Sequence, residues 1–171
     1  MLRYFLVFAG LALGAAFPAL AEDPVEERPP VEWIVTAGAF DVGVEEVAEA
    51  GIELRFGSFE LPLGQRSLPL GFTLGGMVND DGGYYLWSGF RYDWHLNDRW
   101  RVTPSLGTGI YSAGEGKNLG GPVEFRSSLE ISFEVADRTR LSLNLYHLSN
   151  GILYDLNPGS ESLVLGFHRR F

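Results

Sequence analysis

The 171-residue chain contains no cysteine. That excludes a disulfide framework, a thiol nucleophile and any cysteine-built metal site. Basic residues are scarce, 13 Lys and Arg against 22 Asp and Glu, for a formal net charge of −9. No basic stripe is available to neutralise phosphates, so nucleic acid is excluded as a partner. Beyond Pro30 there is no helical stripe, and no apolar run is long enough to cross a membrane as a helix.

What is present begins with an export signal. Arg3 supplies a positive start, residues 6–17 are apolar, and Ala19-Leu20-Ala21 reads as a small-x-small cleavage site. Residues 1–21 are therefore expected to be a signal peptide. The acidic, proline-rich residues 22–31 read as a periplasmic lead-in. An exported domain without disulfides needs another restraint, and a closed barrel provides one because every strand edge is paired.

Residues 32–171 alternate apolar and polar, punctuated by Gly, Asn, Asp and Pro. Eight strand segments fit, near 32–40, 50–59, 69–78, 83–95, 99–111, 122–136, 139–149 and 160–171. In the sixth, Val123, Phe125, Leu129, Ile131, Phe133 and Val135 share one parity with Ser127. Glu124, Arg126, Ser128, Glu130, Ser132 and Glu134 take the other. A soluble sandwich would also alternate. Long strands, aromatics near strand ends and export point instead to an all-β fold, an eight-stranded antiparallel transmembrane β-barrel with periplasmic termini and a polar interior. Arg91, Asp93, Arg101, Glu124, Arg126, Glu130, Glu134 and Arg140 are expected to pair inside. Eight strands leave a lumen filled by side chains, which excludes a channel. Loops near 41–49, 79–83, 112–121 and 150–160 should be extracellular. Residues 60–68 read as an unusually long periplasmic connection. The terminal Phe171 resembles the C-terminal signature of outer-membrane barrels, so the bacterial outer membrane is the expected location.

The lipid-facing row breaks at one place. In 139–149 the odd positions run Leu141, Leu143, Leu145 and then His147 and Ser149. In the next segment Phe171, Phe167, Leu165 and Leu163 share parity with Glu161. Symmetric pairing sets Ser149 opposite Glu161, while a shift of two sets His147 opposite Glu161. Both registers leave the three groups in reach, since same-face neighbours lie about 7 Å apart along a strand and cross-strand partners about 5 Å. Serine needs a base, histidine can act as one near neutral pH, and a carboxylate can orient the imidazole. Backbone amides and the side chains of Asn150 and Asn157 are candidate oxyanion donors. His95 and His168 have inward parity and read as lumen residues. This chemistry requires no metal or cofactor.

The stretch Tyr146-His147-Leu148-Ser149-Asn150-Gly151, through Asn157-Pro158-Gly159 to Glu161 and Phe171, resembles the lipid A 3-O-deacylase (PagL-type) family of outer-membrane enzymes. The resemblance implies a serine esterase that removes an ester-linked acyl chain from lipid A of lipopolysaccharide. It makes His147 the base, Ser149 the nucleophile and Glu161 the orienting acid, with Asn150 and Asn157 on the oxyanion side. The competing expectations are a non-catalytic structural or adhesive barrel and an esterase or phospholipase of other lipid specificity. Beyond lipopolysaccharide and membrane lipid, the apolar outer wall could also join two copies as a homodimer.

Overall fold

A computed structural model describes residues 31–171. The expected signal peptide and all of the lead-in but Val31 lie outside these described residues. Nine strand segments follow: β1 (Val31–Phe40), β2 (Val47–Leu63), β3 (Arg66–Asn79), β4 (Tyr84–Arg91), β5 (Trp94–His95), β6 (Trp100–Ser112), β7 (Val123–Ala136), β8 (Thr139–Ser149) and β9 (Ser160–Arg170). Each pairs antiparallel with its neighbours in the ring, and β1 pairs with β9, which closes the sheet. Both β4 and β5 pair with β6, so they form one stave and the barrel has eight. The break between them has a cause in the facing strand. Tyr92 N donates to the Pro104 carbonyl at 3.1 Å, and proline has no N–H to return the bond.

The alternation acts as an inside-out code. In β8 the even residues Arg140, Ser142, Asn144, Tyr146 and Leu148 are buried in the lumen, while Leu141, Leu143 and Leu145 are exposed on the outer wall. Ile52, Leu86, Leu106, Leu129 and Leu165 extend the apolar exterior around the ring. A soluble protein buries such residues; a barrel in lipid displays them.

Inside, the charges pair only in part as the alternation suggests. Arg91 bonds Asp93, and Arg140 bonds Glu134 at 2.6 Å. Arg126 instead lies over the rings of Trp87 and Tyr146, at 4.8 and 4.4 Å. Both Glu124 carboxylate oxygens are buried without a hydrogen-bond partner. The main cluster includes residues the sequence did not single out. Arg55 makes a bidentate bond to Glu130 (2.9 and 2.7 Å) and a further one to Glu53 (2.7 Å). Glu32 accepts from Arg101 at 3.1 Å. His168 is fully buried here, its Nε2 2.8 Å from Ser142 Oγ.

The 60–68 segment is not a loop. β2 runs on to Leu63 and β3 starts at Arg66, so the hairpin outgrows the ring. Gly57, at φ 53°, makes the bulge that permits this, with a register shift between Phe56 and Ser58. The connections 41–46, 80–83, 113–122 and 150–159 gather at the other end of the barrel.

Candidate active site

Strand parity and one register build the site. β8 and β9 pair with His147 directly opposite Glu161, so the register shifted by two is the one adopted. Both side chains point outward, where Leu145 and Leu163 continue the row as an apolar pair. His147 Nδ1 lies 3.0 Å from Glu161 Oε1. A carboxylate only accepts, so in the neutral imidazole this contact is made by Nδ1–H, which leaves the Nε2 lone pair free. The Cε1–Nε2 edge lies beside Gly159, where a β-carbon would stand 2.7 Å from Cε1 and 3.4 Å from Nε2. Glycine is required twice over, since φ there is 66°.

Ser149, two residues beyond His147 on the same face, ends β8. Its Oγ bonds Asn157 rather than His147, with Asn157 Nδ2 at 3.2 Å. The Gly151 N–H donates to the same Oγ at 3.2 Å. Asn157 is held because its Oδ1 accepts the Asn150 N–H, also at 3.2 Å. Two N–H donors thus converge on the serine oxygen.

Asn150 occupies a different place from Asn157. Its side chain is buried and donates to the carbonyls of Leu119 (2.9 Å) and Leu156 (2.7 Å). It ties the 113–122 connection to the 150–159 connection and so holds the loop above Ser149. The Gly151 amide is the donor that sequence reasoning missed by residue.

The turn that holds Gly151 is built against local preference. Leu153 N donates to Asn150 O at 3.1 Å, and the two central residues, Gly151 and Ile152, have φ of 60° and 65°. Positive φ at both is the type I′ pattern, which favours Asn and Gly. A β-branched residue there is an outlier, with a cost of roughly 1–2 kcal/mol. Ile152 is also 86% exposed, so packing within the chain does not hold it. Ile152→Gly is expected to raise the unfolding free energy by about 1 kcal/mol. A rise in the urea midpoint, read by gel mobility of folded and unfolded barrel, checks this.

A closed eight-stave barrel with a charged lumen, an apolar exterior and a polar cluster breaking that exterior near one end has the architecture of an outer-membrane barrel. The family described as lipid A 3-O-deacylase (PagL) matches residues 82–170, more than half of the chain. The chain belongs to this family of ester hydrolases, and its place is the bacterial outer membrane. Among solved structures, the crystal structure of the outer membrane enzyme PagL superposes with a TM-score of 0.64 at 18% identity, covering 82% of this chain and 99% of that one. A de novo designed transmembrane β-barrel gives 0.56 at 10% identity, covering 84% and 97%. Neisserial surface protein A gives 0.53 at 10%, covering 82% and 96%. At these identities the likeness is one of fold. No curated protein sequence matches the chain.

Proposed function

We propose that this chain hydrolyses the 3-O-linked acyl ester of lipid A, with Ser149 as nucleophile, His147 as base and Glu161 as orienting acid. The observation that carries the reading is the 3.0 Å contact of His147 and Glu161 on the lipid-facing wall, with Ser149 on the same face two residues on. A substrate embedded in a leaflet is reached from that wall and not from a filled lumen. The reading places the 150–159 connection at the cell exterior and the ends of β1 and β9 on the periplasmic side. Residues 1–21 then serve as the export signal and 22–31 as the lead-in.

In the first step, rotation of Ser149 about χ1 turns Oγ toward His147 Nε2, which takes its proton as Oγ attacks the acyl carbonyl. Negative charge develops on the carbonyl oxygen, where the Gly151 N–H and Asn157 Nδ2 can receive it. Collapse breaks the ester bond, and the sugar hydroxyl leaves with the proton held by His147. Water, deprotonated by the same imidazole, then attacks the acyl-serine, and the imidazolium returns that proton to Ser149 Oγ as the fatty acid leaves. Glu161 steadies the imidazolium in both halves. The Leu145, Leu163, Leu143 and Leu165 rows give the acyl chain an apolar bed. In this scheme Asn150 supports the loop, and the oxyanion donor from that turn is the Gly151 amide.

The test uses purified wild type and Ser149→Ala, each given lipid A and phospholipid separately, with products weighed. Ser149-dependent loss of one ester-linked acyl chain from lipid A, with phospholipid intact, is the expected result. Fatty acid released only from phospholipid would move the specificity elsewhere, and unchanged lipid A with the wild type would make the barrel non-catalytic. Gly159→Ala offers a finer check. Its new methyl would displace the imidazole from Glu161, and a misplacement of about 1 Å costs roughly 10²-fold in rate. Deacylation should fall by that order while gel mobility stays that of the folded barrel.

A further inference from the structure

The extension of β2 and β3 past the ring is amphipathic, and the described staves contain nothing else like it. β1 pairs with β2 only as far as Phe56, and β4 with β3 only as far as Gly71. From Phe59↔Leu70 to Leu63↔Arg66 the two strands have, among the described residues, no partner but each other. At about 3.3 Å per residue this ribbon runs roughly 15–20 Å past its last pairing with a neighbouring stave. Phe59, Leu61, Leu63, Leu68 and Leu70 fall on one face, and Ser58, Glu60, Pro62, Ser67 and Pro69 on the other. The apolar face is continuous with the outer wall of the barrel. Phe59 meets Phe72 at 5.3 Å and Phe90 at 5.5 Å, and Phe72 stacks on Phe56 at 6.0 Å.

Two observations select the occupant. Proline is tolerated in a paired strand where its nitrogen faces away from the partner. Pro62 and Pro69 therefore remove a donor from each outer edge of the ribbon, and Glu60 adds a charge, which blunts both edges against an incoming strand. The apolar face, in contrast, carries no charge before Arg66 at the tip. Open sheet edges do not occur in hydrocarbon, so the ribbon belongs in the interfacial layer, apolar face toward lipid and edges hydrated. We propose that this ribbon is a membrane-docking element that lays its Phe59, Leu61, Leu63, Leu68 and Leu70 face on the phospholipid leaflet at the barrel end opposite His147. Site and ribbon lie at opposite ends of the barrel, so the ribbon resists the rocking that would change the depth of His147 and Ser149 in their leaflet.

The absence of cysteine makes the test direct. Leu61→Cys and Glu60→Cys, each labelled with an environment-sensitive fluorophore, are reconstituted as the full chain into phosphatidylethanolamine–phosphatidylglycerol vesicles. The expected result is a blue-shifted emission at Leu61, quenched by lipids with a shallow nitroxide and protected from iodide. The Glu60 label should stay solvent-like and open to iodide. Leu68→Cys, opposite Leu61, repeats the measurement if the first variant does not fold. Equal iodide access at both faces overturns the proposal. So does a Leu61 label that is shielded only when periplasmic protein is added, which would make the ribbon a protein-binding element.

Discussion

Ser149→Ala is expected to lower lipid A deacylation by roughly a million-fold, with His147→Ala and the double variant losing about as much and not the product of the two. The reason is that, in the proposed mechanism, the hydroxyl and the imidazole act in one proton transfer. Without the base the serine is a poor nucleophile, and without the serine the base has no proton to take. Glu161→Gln should cost less, at most about 10⁴-fold. Nδ1 and the amide could still bond, but the amide NH₂ favours the wrong tautomer and no charge remains to steady the imidazolium. Glu161 is more than half exposed, which moves its expected effect toward the lower end. The residual activity of Ser149→Ala should depend on Asn157, because the Gly151 and Asn157 N–H groups remain in place. Acyl release from lipid A, followed by mass spectrometry over long incubations, checks the ordering. A strictly multiplicative double variant would show that the two residues act in separate steps.

The barrel and its outward break were legible because both are written in parity. Val123 to Val135 against Glu124 to Glu134 carries the lumen and lipid faces of β7 on the surface of the text, and Leu141, Leu143, Leu145, His147 carries the departure from it. The register that unites His147 with Glu161 was not legible. A ten-residue connection admits more than one pairing, and only the closed ladder from Thr139↔Arg169 to Leu148↔Ser160 chooses. Asn150 illustrates a rule available but not applied: its even position, one residue past the end of β8, continues Tyr146 and Leu148, and its side chain is buried. The Gly151 amide carries no side-chain signal at all. The ribbon was hidden for a different reason. Gly57, Pro62 and Pro69 look like loop punctuation, while the bulge and two blunted edges let a strand carry them. The Arg55 cluster was legible only in part: Arg101 and Glu130 were expected to pair inside, but alternation alone does not show that Glu32, Glu53 and Arg55 of β1 and β2 meet them across the lumen.

Arg55→Met should have the largest effect on stability, a loss of about 3–5 kcal/mol in unfolding free energy. In the ring of eight staves β2 and β7 stand across from each other, so the Arg55–Glu130 bond spans the lumen at its full width. The same guanidinium holds Glu53 at 2.7 Å and lies 3.9 Å from Glu32. Thr73 also donates to Glu53, at 2.7 Å. Methionine fills a similar volume but removes the guanidinium that three buried carboxylates share, leaving Glu32 its bond from Arg101 and Glu53 its bond from Thr73. Each retained charge then bears its desolvation cost without its partner. If that is the origin of the loss, adding Glu53→Gln and Glu130→Gln should restore most of it, because the stranded charges go with the cation. Separate single effects would add, whereas members of one network couple. Urea midpoints read by gel mobility measure the stability. Acyl release per folded molecule should remain near wild type in both variants, since no member of the cluster touches the outer wall at His147 and Ser149. A triple variant no more stable than Arg55→Met would place the cost in packing and not in charge.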